Sequence, residues 1–314
     1  MSLLLQRYGL AVLFVIAAIT FSLLLPESFP TLLNVRNIAG SQAVLAILAL
    51  AALPPLIAGQ FDMSLGSVLS LASVATASAL SRFGLPLWLA VFIGVAVGAL
   101  LGYLNGLLIA KVGVNALITT LGVATAVTGV LSWYTGGTSI LTGIPESLTD
   151  VGSGTFLGLP QPLYIMGLIA LFVWYLLEHT PFGRHLHAIG VNPSAARLVG
   201  LDVEKTVIRS FVLSGALVGL AGVVLVARQG GGNPLMGNYY LLPALSAVFL
   251  GATAIHPGRF NVPGTLLAVF FLATSVSGLA LAGVDNWVDS IFNGAALVIA
   301  VALSTILGKK RRAA

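Results

Sequence analysis

The sequence predicts an all-α membrane protein of about ten spanning helices with both termini cytoplasmic, and three observations predict it. Of 314 residues, 58% are hydrophobic and only 7% charged, against roughly 25% charged in an ordinary soluble domain. One soluble core could not bury that much apolar surface. The apolar residues fall into runs that approach or reach the roughly 17–25 residues a helix needs to cross a bilayer. Lysine and arginine gather on alternate connections, the asymmetry that orients helical membrane proteins. Glycine is abundant at 36 residues, and small residues let membrane helices approach closely. With no cysteine, disulfides and thiolate metal sites are excluded and the redox compartment stays open.

The runs cover, to within a few residues, 9–25, 38–58, 64–80, 88–110, 116–134, 163–178, 207–227, 241–255, 264–283 and 287–307. The first follows a single Arg7 and has no clear small-residue cleavage site, so it reads as a span rather than a secretory leader. With the amino terminus inside, eleven of the fourteen lysines and arginines lie on the cytoplasmic side; Arg36, Arg82 and Arg228 lie outside. The longest external connection, Tyr134 to Gln161, is rich in Gly, Thr and Ser and carries Glu146 and Asp150. It fits either a solvated loop or part of a landing surface for an extracytoplasmic protein. Nothing else is large enough to be separate, so residues 1–314 form one membrane domain.

Two junctions are broken by Gly and Pro, a pointer to the working region of a transporter. One runs from Pro54 to Ser67, the other from Gly251 to Thr265. Their offset of six spans gives them the same direction, so they do not align as an inverted repeat. Asp62, beside Ser64, sits where the third span begins. There a carboxylate can cap free N–H groups or line a solute path. Gln42, Asn105, Asn115, Thr119, Thr120 and Asn293 lie in or near spans, where each can bond a neighbouring helix or a solute. Trp133 and Tyr134, at a span end, read as interfacial anchors.

The cytoplasmic stretch 179–206 is short, polar and sharply punctuated. Asn192 suits a helix N-cap, Pro193 the first helical position and Gly200 a left-handed stop. The helix they enclose is about two turns long and cannot stand alone in water. It must dock either on its own chain or on a soluble partner. His179, His185 and His187 cluster in this loop and read as solvated or partner-facing rather than as metal ligands.

What is missing narrows the function. No Asp, Glu, Lys, Arg or His falls near the middle of a span, where proton-driven carriers place theirs. There is no G-x-x-x-x-G-K-[ST] phosphate loop, and neither H-E-x-x-H nor G-x-S-x-G occurs. The chain is therefore read as non-catalytic.

Several segments, in order, resemble the ribose-type monosaccharide permeases, the membrane subunits of bacterial ATP-binding-cassette importers. Gly59-Gln-Phe-Asp-Met-Ser-Leu-Gly-Ser67 is similar to the family's G-G-x-D-L-S-V-G-S element. Asn105-Gly-Leu-Leu-Ile109 and Ala116-Leu-Ile-Thr-Thr-Leu-Gly122 resemble N-G-x-L-I and P-F-I-x-T-L-G. Gly183-Arg184 with Ala188 to Gly200 resembles G-R…A-I-G-x-N-x-x-A-A-R-L-x-G. Gly251-Ala-Thr, Gly258-Arg259 and Gly264-Thr265 match a late G-G-T…G-G-R…G-T element. Ala116-Leu117 replaces the family's Pro-Phe, Gln60 its second glycine, and His256-Pro257 a Gly-rich stretch, departures that bear on solute identity more than on class.

The resemblance implies a multi-pass inner-membrane permease subunit moving a small polar solute, most simply a monosaccharide, inward. It implies a second permease subunit, identical or different, an ABC ATPase that binds the ATP and Mg, and an extracytoplasmic solute-binding protein. No cofactor is expected in this chain and no nucleic acid among its partners; membrane lipid surrounds it. Arg184, Asn192, Pro193, Ala195, Ala196, Arg197 and Gly200 are the expected ATPase-coupling residues. Asp62, Ser64, Asn105, Asn115 and Thr119 are the expected pathway residues. A sodium-coupled or other secondary carrier of a small polar solute is the rival class, and a non-transporting scaffold a third.

Overall fold

The computed structural model describes residues 3–285 and 287–312, with side chains described for 7–285 and 287–302. Helices α1 (Leu3–Leu24), α2 (Leu32–Ile57), α3 (Leu65–Ser81) and α4 (Leu87–Leu107) come first. A π-helical turn (Leu108–Val112) leads to α5 (Ala116–Thr135), and a short α6 (Glu146–Ser153) follows. Strands β1 (Thr155–Phe156) and β2 (Leu159–Pro160) pair antiparallel. Then come α7 (Gln161–His179), α8 (Pro181–Val191), α9 (Pro193–Leu198), α10 (Val203–Gln229), α11 (Met236–Gly251), α12 (Val262–Leu281) and α13 (Trp287–Arg312). Each of the ten predicted spans coincides with one helix. Among the described residues seven helical stretches are long and apolar enough to cross a membrane; α3, α11 and the described part of α13 are shorter. The connection 134–161 is not a plain loop, because α6 and the hairpin fold there and α6 packs on the end of α10: a Cβ on Gly152 would overlap the Ala227 carbonyl.

Hydrophobicity alone does not place these helices. In their most apolar 18-residue windows α1 is 6% buried and α2 89%, yet the two are equally lipid-like in sequence. From Ala43 to Ile57, α2 is buried all round. It runs antiparallel to α10: a Cβ on Gly40, near the start of α2, would lie 3.0 Å from the guanidinium of Arg228, near the end of α10.

Glycine decides how closely α10 meets α4. Gly94, Gly98, Gly102 and Gly106 descend one side of α4 and meet Val223, Gly219, Gly215, Phe211 and Ile208 in reverse order. A Cβ on Gly98 would overlap Gly215 O and lie 2.9 Å from Gly219 N. The two backbones touch at this crossing, so neither glycine can carry a side chain there.

The two halves share a helix order run in opposite directions. Each has a long buried helix (α2, α10), a break, a short helix (α3 of 17 residues, α11 of 16) and two further apolar helices. The first turns of the short helices meet, with a Cβ on Gly66 falling 2.8 Å from Gly237 O. Gly237 N also donates to Ser70 Oγ at 2.9 Å. The break matching residues 58–64 is thus 230–235 and not 251–265, which explains why the sequence junctions do not align as an inverted pair.

Candidate functional site

Two polar regions stand out from the apolar body: the α8–α9 element at the amino-terminal end of α10, and the break between α2 and α3.

Local chemistry builds the first. Pro181 starts α8, whose Leu186 and Ile189 are fully buried and fasten it to the helical body. Gly183 and Gly190 allow the close fit, since a Cβ on either would overlap a backbone carbonyl, Leu177 O or Ile57 O. Asn192 caps α9, its Oδ1 accepting from Ser194 N at 3.0 Å and Ala195 N at 3.1 Å. Pro193 follows at the first helical position. The end is a full Schellman closure: Gly200 N donates to Arg197 O and Leu201 N to Ala196 O, each at 3.0 Å, with Gly200 at φ +85°. Asp202 then caps α10 through Lys205 N and holds Lys205 Nζ at 2.8 Å. Those bonds keep the exposed Asp202 carboxyl below its ordinary range.

The cap and stop predicted from sequence are therefore present, and the structure adds which way the helix faces. Ala196 is the one buried residue of α9. Arg184, Asn192, Pro193, Ala195, Arg197 and Gly200 are all exposed. Leu198 and Val199, absent from the sequence candidates, are 89% and 76% exposed. Arg197 and residues 200–204, which flank them in sequence, line a shallow cavity of about 410 Å³. The apolar character of Leu198 and Val199 within a polar loop is the signal that could have found them. His179 stacks on Tyr175, and burial together with Arg259 holds the His187 imidazole below its ordinary pKa, Glu178 opposing.

In the second region, Asp62 Oδ1 accepts from Ser64 N at 2.9 Å and Ser64 Oγ at 2.6 Å. Asn105 Nδ2 on α4 donates to Ser64 Oγ at 2.9 Å. All three are buried, so three predicted pathway residues form one node. Asp62 folds back on Ser64 at the N-cap position of α3 instead of bonding the helix's first turn. Asn115 and Thr119 share no hydrogen bond with this node among the described residues. Asn115 caps α5 through Leu117 N and Ile118 N, and the Thr119 hydroxyl donates to Asn115 O. The α5 residue that reaches the break is Thr120, whose Oγ1 accepts from Met63 N at 3.0 Å.

These features sit in a chain whose relatives are import permeases. The family model described as branched-chain amino acid transport system / permease component matches residues 34–301. The ribose import permease protein RbsC of Escherichia coli K12 is 36% identical over 302 residues, covering 95% of this chain and 93% of that one. The Haemophilus influenzae ribose import permease protein RbsC is 33% identical over 309 residues, 98% and 94% of the two chains. The autoinducer 2 import system permease protein LsrD of Enterobacter sp. 638 is 35% identical over 280 residues, 87% and 85%. No solved structure matches the chain.

Proposed function

The chain belongs to the branched-chain amino acid transport system / permease component family, and from that premise we propose how its parts work. It is a non-catalytic, inner-membrane permease subunit of an ATP-binding-cassette importer, a class that works with an ATPase and a solute-binding protein. The solute proposed is a monosaccharide, in keeping with two ribose import permeases among the relatives. ATP and Mg bind the partner ATPase. Residues 1–314 act as a single permease domain, within which 179–206 is the cytoplasmic coupling loop.

The observation that carries this reading is α9, two turns of helix capped at both ends and presented almost wholly to solvent. A helix so short cannot hold itself, yet here Asn192, Gly200 and one buried alanine fix it and leave Leu198 and Val199 outward. The ATPase docks on that surface. Its binding and release of ATP bias the permease between outward- and inward-facing states through differential contacts. A second permease subunit, the same chain or a related one, completes the complex. The exposed face of α5, where Gly122, Thr125, Gly129 and Ser132 lie uncovered, is the surface offered to it and to the solute path. Asp62, Ser64 and Asn105 act beneath that path, and Asn115 and Thr119 at the foot of α5.

Two experiments test the reading. Single cysteines placed at Ser194 and Ser153, both exposed, label from opposite sides of the membrane, Ser194 from the cytoplasm; labelling from one side overturns the orientation. Purified alone, the chain shows no ATPase activity above background, and uptake in proteoliposomes requires the partner ATPase. Accumulation by the lone chain on a sodium or proton gradient would instead establish the secondary carrier.

A further inference from the structure

The break between α2 and α3 touches α8 at one end and α5 at the other. At its start, Gly59 has φ +79° and packs on Gly190, a Cβ there lying 3.7 Å from Gly190 Cα. A Cβ on Gly190 would in turn overlap Ile57 O. The contact is backbone on backbone, so α8 cannot move toward α2 without displacing the break. At its far end, Met63 N–H donates to Thr120 Oγ1 at 3.0 Å, while the Thr120 hydroxyl proton goes to Ala116 O at 2.8 Å. Thr120 is fully buried.

Two further observations bear on the break. Asn105 donates to Ser64 through Nδ2, but its Oδ1 is buried without a hydrogen-bond partner among the described residues. An unmet buried acceptor is costly, so a rearranged break that offers it a donor is favoured. The foot of α5 is joined to α4 by irregular backbone. It follows a π-helical turn, a left-handed Gly113 at φ +81° and the Asn115 cap, and nothing covers Gly122 or Gly129 above it.

We propose that Thr120 is a positioning residue for transport: when the ATPase displaces α8, residues 58–64 move with it and the Met63–Thr120 bond carries that movement to α5. This rests on the importer reading above.

The test uses the complete complex in proteoliposomes and measures ATP hydrolysed per solute imported. Thr120→Val keeps the shape but removes the acceptor. The ratio rises about tenfold while hydrolysis stays within about twofold of wild type, a span one coupling residue can command, and Thr120→Ser restores it. Thr128, whose hydroxyl among the described residues bonds only Ala124 O within α5, is the control: Thr128→Val leaves the ratio unchanged. An unchanged ratio in Thr120→Val, or hydrolysis and uptake falling together, overturns the proposal. Should Thr120→Val not accumulate in membranes, hydrogen exchange of the wild-type complex decides. Segments 58–64 and 116–121 change protection together when a non-hydrolysable ATP analogue is added; a change in α8 without one in 116–121 refutes the link. Solute uptake by wild type without its ATPase is a separate result, and it overturns the importer reading itself.

Discussion

The α4–α10 seam and the α9 element are both rich in small residues and use them for opposite ends. In the seam, glycine is there because nothing else fits: backbone lies against backbone from Gly98 to Gly106. At the end of α9, Gly200 has open space around it, with nothing within 4 Å of a built Cβ, and is there for its φ of +85°. One glycine is a packing requirement and the other a conformational one. The seam makes a rigid body of α4 and α10, whereas α9 is a local structure laid on the surface. A substitution in the seam should therefore damage the fold, and one in α9 should damage assembly.

The largest effect is expected at the seam. Gly98→Ala drives a methyl into Gly215 O with no flexible side chain to yield, so the helices must separate. Overpacking of this kind costs about 1–3 kcal/mol and at times more, and folded protein recovered from membranes should fall steeply. Normal abundance and melting temperature in Gly98→Ala would break the comparison, because the seam would then be loose.

Gly200→Val comes next. A left-handed backbone costs a residue with a Cβ roughly 1–2 kcal/mol, and a β-branched one resists it more. Membrane abundance should be normal while capture of the ATPase and uptake are lost. Asn192→Ala acts in the same place through loss of two N–H bonds, about 0.5–2 kcal/mol, and should weaken capture of the ATPase without abolishing it. Normal assembly and uptake in Gly200→Val would reduce α9 to a turn.

Gly122→Ala and Gly129→Ala sharpen the contrast on a third kind of glycine, one uncovered within its own chain. Neither should lower the stability of the single subunit, since alanine is the better helix former by about 1 kcal/mol. Loss of the two-subunit complex in these variants, read by crosslinking, would place the second permease on α5; full activity would leave that face to lipid.

The smallest effect concerns pH. Burial and Arg259 lower the folded-state pKa of His187 below its unfolded value, with Glu178 opposing. The unfolded state then binds more protons in that interval, so the neutral imidazole's contribution is complete above the ordinary histidine range and fades as pH falls through it. Wild type should lose melting temperature on acidification below about pH 6.5, and His187→Gln should lose less. Equal slopes for the two proteins would remove His187 from the account.

The legible part of the candidate site was the part fixed by neighbours in sequence. Asn192, Pro193 and Gly200 announce a capped helix because capping acts over three or four residues. The Asp62–Ser64 pair is local for the same reason, whereas Asn105 joins it from 41 residues away and Thr120 bonds Met63 across 57. No short-range pattern encodes either. Thr119 and Thr120 are adjacent and chemically identical, and only the helix's rotation decides which one meets the break.

Sequence alone determined the helical membrane architecture, the approximate place of each of the ten long helices, the break at 58–64, and the caps of α9. Each follows from hydrocarbon thickness or from backbone groups that must be satisfied nearby. Tertiary structure decided that α2 lies at the centre and α1 at the rim, which glycines are seams, that residues 230–235 mirror 58–64, and that Ala196 faces in while Leu198 faces out. In a soluble protein the apolar face of a helix betrays its inner side. Here lipid and protein core are equally apolar, so that periodic signal is erased and the faces exist only in the packed molecule.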